Sequence, residues 1–226
     1  VPVHTQAAVR AIDWRGTGVR VDASTGSLRA KAVIVTASTG VLASGTIRFT
    51  PELPVEKTEA FHAFRMGAYN NIGLRYREDV FGLGATQHVI PKAASVRQPP
   101  LSSNLDGTGL SMVYVGGDLS RELQAAGVEA AIDFGVSYVD DLLGSDTRKR
   151  FVNGAFFCWE HHSWTRGSYF APLPGALMHR EALRRPVGER VFFAGDACHD
   201  GPTASVSRAH DSGVATAREV LTTLGA

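Results

Sequence analysis

The sequence predicts an α/β protein, and three stretches predict it. Residues 191–194 are an apolar run, Val-Phe-Phe-Ala, short enough for a strand covered on both faces. After Gly195, apolar residues Val206, Ala209, Gly213, Ala217, Val220 and Leu221 recur at helical spacing. Residues 66–76 and 110–117 alternate as strands, and residues 118–126 and 128–143 carry helical periodicity. The strand, turn and helix of residues 191–221 place a helix N-terminus, capped by Thr203 or Ser205, at the carboxyl end of a buried strand. Free N–H groups and the helix dipole there favour an anionic or electron-rich cofactor. Asp196, in the turn, suits a ribose or ribityl hydroxyl better than a phosphate, because a carboxylate accepts from a sugar and repels a phosphoryl group.

Taken in order, residues 1–12 have short strand character, and Gly16 and Gly18 lead into alternation at Val19 and Val21. Ser24 to Gly26 reads as a turn, and residues 28–36 as a rising buried strand. Residues 55–64 read as a helix with Phe61 and Phe64 inward. The proline- and serine-rich stretch 81–105 reads as strands of a sheet joined by loops. Asp118 or Ser120 is placed to cap a helix through Ala126, and the helix over 128–143 turns Ile132, Val136, Val139 and Leu143 inward.

Composition narrows the function. With 226 residues and 44% hydrophobic content the chain can form one large domain or parts of two. Charge is balanced, 23 basic against 22 acidic residues, which argues against nucleic acid or an anionic membrane as partner. No apolar run approaches the roughly 20 residues of a membrane span. Cys158 and Cys198 read as two reduced, mostly buried thiols and point to a cytoplasmic compartment. The histidines, including His161, His162, His199 and His210, lack metal-site spacing, so no metal is expected; His199 sits in the flanking turn, within reach of a cofactor. Position 1 is Val and the first residues already read as strand, which leads us to expect a processed or cut product.

The run Phe192, Phe193, Ala194, Gly195, Asp196, followed by a Gly-Pro turn and a helix with Ser212 and Gly213, resembles the closing flavin-binding segment of the flavin-dependent amine oxidases, a family that includes monoamine, polyamine and L-amino-acid oxidases. The family usually has Glu where Asp196 stands. Gly-Asp-Ala-x-His also resembles the ribityl-binding motif of aromatic-ring flavin hydroxylases. Two further stretches favour the amine oxidases. Residues 33–54 are similar to the family's strand and Ile-x-Phe-x-Pro-x-Leu-Pro connection, and Trp159, Gly167 and Tyr169 fall in register with its spaced aromatic signature.

The resemblance implies a part of a Rossmann-like FAD-binding domain at 1–48 and 186–226, and a mixed sheet-and-helix substrate domain at 49–185. It implies oxidation of a C–N bond in an amine or L-amino acid, by hydride transfer to flavin N5, imine hydrolysis and reoxidation by O2 to H2O2. Tyr169 takes the position of one wall of an aromatic cage before the flavin, a place for an amine held by ring quadrupole and apolar contact. Trp159 and Trp164 belong to the same stretch, Trp159 as a catalytic and Trp164 as a cofactor-binding candidate. Asn71 replaces the family's Lys, which holds a water near N5; an amide can still hold a water, but loss of the cation leaves oxidase against dehydrogenase open. Val9 takes the position whose backbone touches adenine, Gly195 and Asp196 the ribityl turn, and Ser205 the second cage wall, where monoamine oxidases have Tyr. The Val206 N–H is expected at the flavin N1–O2 edge. Ser168 stands where monoamine oxidases carry the cysteine bonded to flavin, so FAD is expected to be non-covalent.

A Gly-x-Gly-x-x-Gly turn for the pyrophosphate is not found in these residues; Gly16 and Gly18 lack the third glycine and the following helix. We therefore expect a second polypeptide carrying the ADP-binding half, as a heteromer from one precursor or one operon, and a higher oligomer. Two other readings stay open on the sequence: a flavin monooxygenase or desaturase on the same plan, and a non-catalytic partner subunit.

Overall fold

The computed structural model describes residues 2–92, 95, 97–144, 146–201 and 204–225. Its contacts divide the chain into two units, Val1–Met66 with His162–Ala226, and Gly67–His161. Residues 49–66 and 162–185, expected in the substrate domain, thus pack within the first unit.

In the first unit β1 (Val9–Asp13), β2 (Val19–Ala23) and β3 (Gly26–Ala30) form an antiparallel meander. Gly18 sits where a Cβ would lie 2.5 Å from the Ala30 carbonyl oxygen, so the strand entrance is closed to any side chain. The expected continuous strand over 28–36 is two strands: β3 is mostly exposed, while β4 (Val33–Val35) leaves that sheet for a parallel pairing. The break has a pairing cause, since β3 hydrogen-bonds to its hairpin neighbour and β4 to a strand over 150 residues on. Next come α1 (Thr39–Ala43), β5 (Arg48–Thr50) parallel to β1, and α2 (Val55–Ala63). Ser38 caps α1 by accepting from the Val41 N–H at 3.2 Å. Phe61 and Phe64 are 2% and 0% exposed, as the helical spacing predicts.

The second unit is built on β6 (Tyr69–Tyr76), β7 (Gln87–Val89), β8 (Leu101–Leu105) and β9 (Leu110–Gly116), followed by α3 (Gly117–Ala126), α4 (Val128–Leu143) and β10 (Phe151–Phe157). The antiparallel sheet has the order β10-β6-β9-β8-β7. Period-2 alternation sends Ile72, Leu74, Leu101, Val113, Val115 and Phe156 into one core with Leu119, Val136 and Val139 of the helices. Neither Asp118 nor Ser120 caps α3: the cap position is Gly116, two residues before Asp118 and without a side-chain cap, and Ser120 is buried, accepting from Asn70 Nδ2 at 2.8 Å. Leu143, expected inward, is 41% exposed, because it falls in the final turn of α4, beyond the strands that cover Val136 and Val139.

The chain returns to the first unit with α5 (Arg180–Arg184), β11 (Val191–Phe193) and α6 (Val206–Thr223). β11 is fully buried and pairs parallel to β4, Val191 opposite Val33 and Phe193 opposite Val35. The expected inner face of α6 is rotated: Val206 and Leu221 are 88% and 52% exposed, and the buried positions are Ser212 and Thr216. Polar contacts decide this docking. Thr216 Oγ1 donates to the Phe193 carbonyl at 3.3 Å, and Ser212 Oγ accepts from the Gly195 N–H at 3.2 Å.

Lys57 of α2 is buried beneath this layer. Its ammonium donates to the Leu183 carbonyl at 2.8 Å and to the Arg185 carbonyl, and lies 4.1 Å from the Phe193 ring centroid. These contacts favour the charged form, but burial outweighs them and pushes its pKa down to about 8 from 10.5. The folded protein therefore holds fewer protons at Lys57 than the unfolded chain between those pH values. Its contribution to stability rises as pH climbs from about 8 to about 10.5, by on the order of 3 kcal/mol. Cys198, whose thiol burial pushes up to about 11, acts with the opposite sign from about pH 9 to 11. The expected result is that, with Cys198→Ser in both proteins to remove the interacting thiol, the difference in urea-unfolding free energy made by Lys57→Met changes across pH 8 to 10.5. A constant difference would assign Lys57 an unshifted pKa.

Among the described residues no helix is long and apolar enough to cross a membrane, and no group of His, Cys, Asp and Glu could hold a metal ion.

Candidate active site

The carboxyl ends of β4 and β11 open onto one crevice, the position at which parallel sheets hold ligands. A cavity of about 40 Å³ lies there, lined by Thr36, Ser38, Thr39, Gly195, Asp196 and Cys198 among others. Gly195 ends the strand at φ +145°, an angle that side-chain-bearing residues rarely adopt, and a Cβ on it would meet nothing within 4 Å. Open space thus lies beside the backbone at the strand's end. Asp196 begins a single 3-10 turn, Asp196–Cys198, and its Oδ2 accepts from the Phe170 N–H at 3.3 Å. That bond ties the turn to the residue after Tyr169. Met66 also pairs with Phe170, and the Ser38 hydroxyl donates to the Thr165 carbonyl at 2.6 Å, so residues 165–170 are anchored on both sides.

Ser205 caps α6 by accepting from the Arg208 N–H at 3.2 Å, with Val206 exposed at the first turn. Thr203, the alternative cap, lies outside the described residues. Val9 opens β1, half-buried and opposite Ala23. Tyr169 is 41% exposed and Trp164 61% exposed. The first unit therefore holds Val9, Trp164, Tyr169, Gly195, Asp196, Ser205 and Val206. Of these, the Phe170 N–H bond joins the Tyr169 segment to Asp196.

Asn71 and Trp159 belong to the second unit. The doublet Asn70 and Asn71 splits between the two faces of β6. Asn70 is fully buried; its Oδ1 accepts from the Trp159 N–H at 3.1 Å and its amide donates to Ser120. Asn71 lies on the opposite face, across from Tyr114 and Phe157, and its Oδ1 is buried without a hydrogen-bond partner among the described residues. Trp159 packs edge-on to Phe157 with centroids 4.7 Å apart.

Sequence reasoning missed Asn70, Phe170, Ser212 and Thr216. Alternation along β6 could have separated Asn70 from Asn71, and the spacing of four between Ser212 and Thr216 marks one helix stripe. Nothing local signals the Phe170 N–H. The groove of about 700 Å³ beside α6 is larger but charged, and its Arg184 is already paired with Glu181 and Asp200.

A parallel strand pair, a glycine-opened crevice and a carboxylate at its lip define an α/β protein whose strand ends carry groups able to accept from a sugar hydroxyl. The chain belongs to the family of flavin containing amine oxidoreductases, which matches residues 1–221. It is 28% identical over 208 residues to polyamine oxidase 2 of Arabidopsis thaliana, covering 91% of this chain and 42% of the relative. To lysine-specific histone demethylase 1 homolog 1 of Oryza sativa subsp. japonica it is 26% identical, covering 98% of this chain and 27% of the relative. The fold is that of a solved putrescine oxidase redesigned for cofactor binding, with a TM-score of 0.81 at 22% identity over 96% of this chain and 48% of the other. Cyclohexylamine oxidase from Brevibacterium oxydans IH-35A gives 0.74 at 20% identity, over 98% of this chain and 49% of the other. The chain thus spans less than half the length of these relatives.

FAD, ordinarily held without a covalent bond, is the cofactor that goes with this family. The residues present fit it: open space at Gly195 admits a ligand to the backbone, and the Asp196 carboxylate can accept from sugar hydroxyls. With Ser168 in the relevant position, no thiol is offered there for a covalent link.

Proposed function

We propose that this chain forms part of an FAD-dependent oxidase that breaks the α-C–H bond of an amine and releases an imine. The observation that carries the reading is the Gly195 and Asp196 turn at the carboxyl ends of β4 and β11, in a chain whose relatives are named for polyamine oxidation. Bound flavin supplies the two-electron acceptor, and O2 then takes the electrons to give H2O2 while the imine hydrolyses in water.

The chain's residues position and exclude water. Asp196 accepts from hydroxyls of the sugar chain and holds Phe170 at the same time. Val206 at the first turn of α6 offers its N–H to electron-rich cofactor atoms, helped by the helix dipole. Val9 offers backbone to the adenine end, and Ser205 fixes the α6 terminus by accepting from the Arg208 N–H, leaving the Val206 N–H for the cofactor. Tyr169 and Trp164 offer aromatic faces, which attract an amine without supplying a base. In the second unit Trp159 offers a further aromatic face, and the Asn71 Oδ1, without a hydrogen-bond partner among the described residues, is fitted to hold a water or an N–H. No Gly-x-Gly-x-x-Gly turn to cradle the pyrophosphate is among these residues.

The test is a visible spectrum of the natively purified protein with its accompanying chains, repeated after anaerobic addition of pooled amines and, separately, L-amino acids. Flavin bands that bleach with amines support the reading, and Tyr169→Ala then lowers the bleaching rate by about tenfold or more. Bands that persist with both pools overturn it; bleaching by L-amino acids alone overturns the amine assignment.

A further inference from the structure

The face of the second unit's sheet turned away from its core residues carries a hydrogen-bonded chain of three side chains. Asn71 lies opposite Tyr114 in the β6–β9 register, and Ser102 lies opposite Met112, two residues from Tyr114 on the same face. His88 lies opposite Ser102. The Ser102 hydroxyl is 2.8 Å from the Tyr114 hydroxyl and 2.8 Å from His88 Nδ1. Ser102 is fully buried and His88 is exposed, so the three groups lead from beside Asn71 to solvent. The Tyr114 ring stacks on Tyr69, centroids 6.3 Å apart and planes at 14°, giving an aromatic surface for a cation next to the unpaired Asn71 carbonyl.

An alkylamine has a pKa near that of lysine, about 10.4, so at neutral pH it arrives as an ammonium. Only the free base has the lone pair that assists departure of hydride from the α-carbon. Aromatic walls and an amide bind the ammonium but take no proton. We propose that Tyr114, Ser102 and His88 are the route by which the substrate ammonium loses its proton, an inference that rests on the amine-oxidation reading above. An ammonium N–H proton passes to the Tyr114 oxygen, the Tyr114 proton to the Ser102 oxygen, and the Ser102 proton to Nδ1 of neutral His88. One N–H bond breaks on the substrate and one forms on the imidazole, both hydroxyls are regenerated, and the positive charge moves to an exposed ring that returns the proton to water. β7 and β8 read Gln-His-Val and Leu-Ser-Ser-Asn-Leu, so His88 is the titratable group on these two strands, and no ion pair among the described residues involves it.

The test follows anaerobic flavin reduction by an alkylamine from pH 6 to 10 in the flavin-loaded protein and in His88→Ala, Ser102→Ala and Ser102→Thr. His88→Ala and Ser102→Ala are expected to be slower by about 100-fold at pH 7, within the usual range for proton-transfer groups. The deficit closes as pH approaches the amine's own pKa, where substrate arrives neutral, and Ser102→Thr restores the rate by keeping the hydroxyl. A deficit of equal size at every pH, or none, overturns the proposal. Independently of turnover, Ser102→Ala shifts the His88 Nδ1 nitrogen resonance; an unmoved resonance overturns the hydrogen-bonded chain itself. If Ser102→Ala fails to fold, the exposed His88→Ala gives the pH profile alone. If no amine reduces even the unaltered protein, the amine-oxidation reading fails and the route with it; reduction of that protein with pH-independent variants removes the route only.

Discussion

Asp196→Ala lowers affinity for FAD by about 10- to 100-fold, read by flavin fluorescence titration of protein stripped of flavin and held with its accompanying chains. The magnitude follows from the 1.5–3 kcal/mol typical of a hydrogen bond to a charged group, at about 1.4 kcal/mol per factor of ten. Asp196 stands at the carboxyl ends of two parallel strands, beside open space at Gly195, and no ion pair among the described residues involves it. Its carboxylate therefore has capacity beyond the one bond from Phe170. The substitution also removes that bond, so thermal unfolding without flavin separates the two effects. Asp196→Asn keeps an acceptor for Phe170 and loses charge, and its loss of affinity is expected to be smaller. Affinity that follows stability across both variants would make Asp196 a turn residue only.

Phe193→Ala costs about 3–5 kcal/mol of folding free energy, measured by urea unfolding. Phe193 is 2% exposed, lies 6.4 Å from Phe49 and 5.9 Å from Phe61 by ring centroids, and has the Lys57 ammonium over its face. Truncation leaves a cavity between α2 and the β4–β11 pair and removes the ring that shares the lysine's charge. Phe193→Leu, which keeps most of the apolar volume, is expected to recover about half of the loss. A cost below about 1 kcal/mol would show that the layer collapses onto the space.

Elements whose pattern is local were legible in the sequence. The buried run at 191–194, the alternation from Tyr69 to Tyr76 and the periodicity of 128–143 each became the expected element, because period and apolar length are properties of a short window. Phe61, Phe64, Val136 and Val139 were legible as core for the same reason. The motif at Gly195 and Asp196 was read through its resemblance to the family's closing segment, which contiguous residues carry.

Errors arose where a distant partner decides. Residues 28–36 are apolar enough for one strand, but β3 follows its hairpin neighbour and β4 follows β11. The face of α6 was assigned by hydrophobicity, whereas Ser212 and Thr216 dock the helix through backbone groups at the end of β11. A hydroxyl that satisfies a buried N–H or carbonyl can outweigh a small apolar residue such as Ala209 or Gly213, and hydropathy does not register that.

The sequence by itself determined the fold class, since period and apolar length are local, and the flavin family, since its resemblance is carried by three short stretches each contiguous in the chain. Tertiary structure decided which of two adjacent asparagines supports Trp159 and which faces Tyr114, and that Ser102 joins Tyr114 to His88. Those three come from strands up to 26 residues apart, and only strand pairing brings a hydroxyl, a phenol and an imidazole to 2.8 Å.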